Sequence, residues 1–147
     1  MENMGKKILQ WNIRGLRKNI TDLTNLLNTE IPLAMCIQET KLNQSVPLDH
    51  IGQYKFYRKD TIPTNISYGG VAIAVRNDTP TAHLPLQTNL QAVAVMLQLP
   101  CHTKITVCSL YLDPHSFSSA SLVHLCDQLP EPTLLLGDFN GRHTMWG

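Results

Sequence analysis

Two apolar runs, QAVAVMLQL (91–99) and KITVCSLYL (104–112), are separated only by Pro100, Cys101, His102 and Thr103. No crossover helix fits into so short a link, so as strands these runs must pair antiparallel. A central hairpin is thereby imposed, and the rest of the chain has to build around a sheet. KKILQWN (6–12) and PLAMCIQE (32–39) are short apolar runs of the kind buried on both faces. YKFYRK (54–59), GGVAIAVR (69–76) and TLLLGDFN (133–140) complete the strand candidates.

Two segments read as helices. NITDLTNLLNTE (19–30) sets Ile20, Leu23 and Leu27 on one face, with Asn19 as N-cap, Asp22 three residues on and Pro32 past the end. Over Phe117 to Leu129, the residues Leu122, Leu125, Cys126 and Leu129 recur at helical spacing, with Pro130 just beyond. The order strand, helix, strand, antiparallel strands, helix, strand predicts an α/β (α+β) sandwich with mixed sheet pairing and helices outside. At 147 residues and 43% hydrophobic content, residues 1–147 suit one domain and one core.

Charge narrows the function little: 12 Lys and Arg against 11 Asp and Glu leave +1, so any contact with a polyanion must be local. The early basic group Lys6, Lys7, Arg14, Arg17 and Lys18 reads first as a solvated face. The cysteines have no CxxC spacing, which excludes a zinc knuckle. Cys36, Cys108 and Cys126 lie in apolar segments and are expected as buried thiols in a reducing, intracellular compartment, with no signal peptide ahead of them. No apolar run approaches the ~18 residues of a membrane span.

Candidate chemistry gathers where strands stop. ILQWN closes on Asn12, AMCIQE on Gln38 and Glu39, VCSLY on Tyr111, and LLLGDFN on Asp138 and Asn140. Singly, each has a bland reading: Asn12 as a loop cap, Tyr111 as packing, Gly137 to Asn140 as a turn. Together they matter more, because ligands of α/β architectures collect at the carboxyl ends of strands. Glu39 and Asp138 offer carboxylates, and Asn12 and Asn140 offer amides. This hard oxygen set suits Mg²⁺ or Mn²⁺ better than zinc. Phosphoester hydrolysis is the natural reaction: a metal screens the phosphate, and a second carboxylate takes the proton of an attacking water.

The stretches QWNIRG, IQETKL, GGVAIAVR, SLYLDP and LLGDFNGRHTMWG, in this order, resemble the endonuclease/exonuclease/phosphatase superfamily. They look most like the apurinic-type endonuclease domain that opens non-LTR retrotransposon polyproteins. The resemblance, from Ile8 to Gly147, implies a DNase I-like two-sheet sandwich, a divalent metal, and DNA nicking that leaves a 3′-hydroxyl to prime a linked reverse transcriptase region. It implies that Glu39 is the metal carboxylate with Asn12 supporting the metal side, and that Asp138 activates the water. Asn140 would position water or phosphate, and Tyr111 would bond a phosphate oxygen.

The chain departs from that pattern in three places. Arg14 stands where some members carry an acidic residue, and is expected to meet a DNA phosphate. Arg142 replaces the first of two histidines, leaving His143 the second, and both are expected on the DNA side, with Trp146 packing. The family's closing Ser-Asp-His motif has no counterpart, and His50 after Asp49 is no substitute. The C-terminal part of the domain is thus expected to be missing, with low activity and self-association through open sheet edges. Two other readings compete: a phosphatase or phosphodiesterase for small molecules or lipids, and a non-catalytic DNA-binding remnant. The endonuclease reading further implies access to nuclear DNA.

Overall fold

The computed structural model describes residues 7–61, 69–113 and 118–139. The elements run β1 (Ile8–Asn12), α1 (Ile20–Glu30), β2 (Ala34–Gln38), β3 (His50–Ile51), β4 (Tyr54–Lys59), β5 (Val71–Arg76), β6 (Thr81–Leu84), β7 (Gln91–Gln98), β8 (Lys104–Tyr111), α2 (Ser119–Asp127) and β9 (Thr133–Asp138). The hairpin demanded by the four-residue link is β7–β8. It is antiparallel from Gln91 opposite Tyr111 to Gln98 opposite Lys104, and Leu99 N–H donates to the Thr103 carbonyl at 2.8 Å.

Two crossover units flank it. In β1–α1–β2 the strands are parallel, ending with Asn12 beside Gln38; in β8–α2–β9 they are again parallel, ending with Tyr111 beside Asp138. The units belong to different sheets, ordered β1-β2-β5-β4-β3 and β6-β7-β8-β9. Between the sheets, Ala34, Cys36, Val71, Ile73 and Val75 pack with Val93, Val95, Leu97 and Val107. Leu23 and Leu27 of α1 cover Met35, Ile37, Ala72 and Ala74 on one outer face, and Leu125 of α2 covers Cys108 and Leu110 on the other. The central strands are therefore apolar on both faces, which is why their sequences run nearly unbroken instead of alternating. Each large aliphatic side chain so buried contributes ~1.5–3 kcal/mol.

Several expectations need correcting. Ile20 is 36% exposed, because the turn Arg17–Asn19 carries the first residue of α1 outward. Asn19 occupies the N-cap position but caps nothing: its amide donates backwards to the carbonyls of Ile13 and Gly15 and ties down the loop after β1. α2 begins at Ser119, where Ser118 forms a capping box with Ser121; Phe117 lies outside the described residues. Cys126 is exposed, lying past the edge of the narrow apolar arc of Leu122, Leu125 and Leu129. Strands β3 and β6 are too short to show a periodic pattern. No helix among the described residues is long and apolar enough to cross a membrane.

One glycine decides where β9 can lie. A Cβ on Gly137 would overlap the backbone carbonyl of Leu110 on β8, so only glycine permits this approach of the two strands. The next pair along is Tyr111 and Asp138.

Candidate active site

Side chains on a strand alternate between faces. Ile8, Ala34, Cys36, Val107, Leu134 and Leu136 point between the sheets, so Gln10, Asn12, Gln38, Ser109, Tyr111 and Asp138 share that inner face. The apolar lining stops at one end. There a single row of the first sheet holds Asn12, Gln38, Val71 and Lys59, and a row of the second holds Gln91, Tyr111 and Asp138. The carboxyl ends of both parallel pairs meet in this layer. Asn12 Nδ2 crosses it to donate to Asp138 Oδ2 at 2.7 Å, joining residues from opposite ends of the chain.

The loops leaving β1 and β2 hold each other. Ile13 N–H donates to the Gln38 carbonyl at 3.0 Å, Gly15 N–H to Glu39 at 2.8 Å and Leu16 N–H to Thr40 at 2.9 Å. Thr40 and Lys41 in turn donate to Gly70 and Gly69. This lacing forces Arg14, Glu39 and Lys41 to positive φ of 50°, 53° and 55°. Left-handed backbone at such residues is costly and gathers at functional sites. Gly70, at φ 89°, leaves room for Thr40, whose Oγ1 would otherwise meet a Cβ.

Glu39 is half-buried and takes no part in the ion pairs Lys7–Glu30, Arg58–Asp60 and Arg76–Asp78. Neither do the exposed cations Arg14, Arg17, Lys18 and Lys41 on the two laced loops and the turn after them. Three buried oxygens at this end accept no hydrogen bond, Asn12 Oδ1, Thr40 Oγ1 and Asp60 Oδ1. An unpartnered buried amide oxygen close along the laced strand ends from a carboxylate is a donor set that fits Mg²⁺ or Mn²⁺. Among the described residues no three His, Cys, Asp or Glu stand together, so substrate oxygens and water would have to complete the shell.

Of the residues singled out from the sequence, Asn12, Glu39, Tyr111 and Asp138 thus belong to one end of the sandwich, with Arg14 exposed at its rim. Asn140, Arg142, His143 and Trp146 lie outside the described residues. Four inner-face groups were not singled out. Gln10 and Ser109 flank the fully buried Gln38. Gln91 Oε1 accepts from Gly70 N–H at 2.7 Å, and Lys59 Nζ donates to the carbonyls of Leu90 (2.8 Å) and Thr88 (3.2 Å). Burial pushes the Lys59 ammonium pKa down. Parity was the signal available: Gln10 shares a face with Asn12, and Ser109 with Tyr111.

The sequence matches the family model described as Endonuclease/Exonuclease/phosphatase family over residues 9–147. No curated protein matches it. Among solved structures, it is similar to the endonuclease domain of TRAS1, a telomere-specific non-LTR retrotransposon, at 23% identity and TM-score 0.72, covering 95% of this chain and 63% of that one. The 3′-5′ exonuclease NExo from Neisseria meningitidis matches at 20% identity and TM-score 0.63, over 90% of this chain and 57% of its own. The Xenopus laevis APE2 catalytic domain matches at 19% and 0.62, over 92% and 59%. The chain therefore spans between 57% and 63% of the length of these structures. The two face-to-face mixed sheets with outer helices are the DNase I-like fold, and the chain belongs to the Endonuclease/Exonuclease/phosphatase family.

Proposed function

We propose that the chain is a metal-dependent endonuclease domain of the non-LTR retrotransposon kind, nicking DNA by phosphodiester hydrolysis to leave a 3′-hydroxyl that primes reverse transcription. The observation that carries this reading is the Asn12–Asp138 bond across the sheets. It sets a carboxylate in a polar layer where the strand ends also present Glu39 and an unpartnered Asn12 oxygen.

Glu39 and Asn12 Oδ1 would hold Mg²⁺ or Mn²⁺, which supplies neutralisation of the phosphate and of the leaving oxygen. Asp138, held by the Asn12 amide, takes the proton of the attacking water. Tyr111 donates its phenolic O–H to a phosphate oxygen. Asn140 positions the water, while Arg142 and His143 meet the DNA. Arg14, Arg17, Lys18 and Lys41 offer a local phosphate track that the overall charge of +1 conceals. The partners are DNA and a reverse transcriptase region that uses the new 3′ end. The place of action is wherever that DNA lies, in the nucleus for a chromosomal target.

Supercoiled plasmid incubated with Mg²⁺ should become nicked circles bearing 3′-hydroxyls when the chain is extended past Gly147, with residues 1–147 alone close to background. Glu39→Ala should also abolish Mn²⁺-induced broadening of NMR signals at the ends of β1 and β2. Hydrolysis of inositol phosphates without nicking would replace this reading with the phosphatase one, and metal-independent DNA binding without cleavage would replace it with a binding remnant.

A further inference from the structure

Gln38 stands directly beside Asn12 in the β1–β2 register, yet the two amides do different things. Asn12 is half-buried and reaches Asp138. Gln38 is fully buried from solvent. Its Nε2 donates to Ser109 Oγ on β8 at 3.0 Å, and its Oε1 accepts from Gln10 Nε2 on β1. Ser109 O–H donates back to the Ile37 carbonyl of β2 at 3.1 Å. Gln38 and Ser109 are both fully buried with their polar atoms partnered, while Gln10, on the edge strand, is exposed. Because the Ser109 proton goes to Ile37, its oxygen can only accept from Gln38, which leaves the Gln38 oxygen for Gln10.

We propose that Gln38 is a positioning residue: with Ser109 it forms an inter-sheet clasp that sets the spacing and twist at which Asn12 meets Asp138. The two bonds are parallel in kind, an amide of the first sheet donating to an oxygen of the second, and they sit in adjacent layers. A buried polar network is weak support for stability, since apolar residues of the same volume would pack at least as well. Fully satisfied, it specifies one arrangement of the surfaces it joins. Here those surfaces carry Glu39, the residue after Gln38, and Tyr111, two residues after Ser109. Sliding one sheet over the other by a fraction of a strand spacing would part Asn12 from Asp138 while leaving the apolar contacts intact.

The catalytic consequence rests on the nuclease reading; the clasp itself does not. Gln38→Met keeps length and volume but removes the amide, and Ser109→Ala removes its partner. The first measurement is hydrogen exchange of the Asn12 side-chain amide by NMR in the 147-residue chain. Both variants should speed that exchange. In the nicking assay they should lower kcat ~10–100-fold, the range for loss of a partner that orients a reactive group, with KM unchanged. In an Asn12→Ala background Gln38→Met should add nothing further, whereas a merely structural loss would add in full. Ser109→Thr, which keeps the hydroxyl, should restore both readouts. Unchanged Asn12 exchange in folded Gln38→Met and Ser109→Ala overturns the clasp. Failure of a chain extended past Gly147 to nick, with altered exchange in the variants, overturns the nuclease reading and leaves the clasp standing.

Discussion

The two ends of the sandwich handle polar groups in opposite ways. At the end carrying the amino termini of the parallel strands, polar groups close upon one another. Arg76 donates to Asp78 at 2.7 Å and to the Ile31 carbonyl at 3.1 Å, and Tyr54 O–H donates to the Pro32 carbonyl at 2.6 Å. A cavity of about 290 Å³ opens there between Arg76, Thr79, Gln98 and His102. At the other end the bonding is unfinished, with buried Asn12, Thr40 and Asp60 oxygens unpartnered and Glu39 in none of the ion pairs among the described residues. Unpartnered buried oxygens thus mark the candidate end. The largest expected effect follows: Asp138→Ala should cut nicking ~10²–10⁴-fold, as loss of a general base does. Arg76→Met at the far end should leave the rate per folded molecule unchanged. Equal losses in plasmid nicking would erase the distinction between the ends.

Next in size is Gly137→Ala. Its Cβ would meet the Leu110 carbonyl, so β8 and β9 must separate beside Tyr111 and Asp138, at a cost of about 3–5 kcal/mol. Urea unfolding measures the stability. A shift of the midpoint smaller than that of Arg76→Met would mean the strands can part cheaply, and the site would not depend on their close approach.

The sequence made much of this legible, for identifiable reasons. The short link forced β7–β8, and Leu23 and Leu27 placed α1. The abrupt change from Leu136 to Asp138 announced a strand end with chemistry. The unread parts depend on contacts distant in sequence. Gln38 looks like one more strand-end polar group until Ser109, 71 residues away, is set against it. Asn19 reads as a cap because the competing carbonyls of Ile13 and Gly15 approach only once the loop folds. Cys126 reads as buried because a four-residue apolar arc cannot reveal how much of it the sheet covers.

A smaller effect tests the closed end. Arg76 is buried, and removing it leaves the Ile31 carbonyl without its donor, so Arg76→Met should cost ~1.5–3 kcal/mol, the range for hydrogen bonds to charged groups. Asp78 is 64% exposed on its side chain, so Asp78→Asn should cost much less. Should the two variants unfold at the same urea concentration, the ion pair and not the burial of Arg76 would govern that end.

The smallest effect contrasts the cations of the two ends. Arg76 has a carboxylate beside it, whereas Lys59 has the Leu90 and Thr88 carbonyls, and burial lowers its pKa from the usual 10.5. The unfolded chain keeps that proton up to the ordinary lysine value, while the folded chain releases it earlier. Between the two values the unfolded state therefore binds more protons, and Lys59 makes stability rise with pH through that window. Tyr54, Cys36 and Cys108 act oppositely, since burial raises each of them, the Cys108 thiol to about 12, and the folded state loses stability as pH climbs above their unfolded values. Lys59→Met leaves those three groups in place, so the difference between parent and variant isolates Lys59. Urea midpoints measured from pH 8 upward should show the parent gaining on the variant as the pH approaches 10.5. Parallel curves would mean that the two carbonyls satisfy Lys59 as fully as Asp78 satisfies Arg76, and that the open end is open around Asn12, Glu39, Thr40 and Asp60.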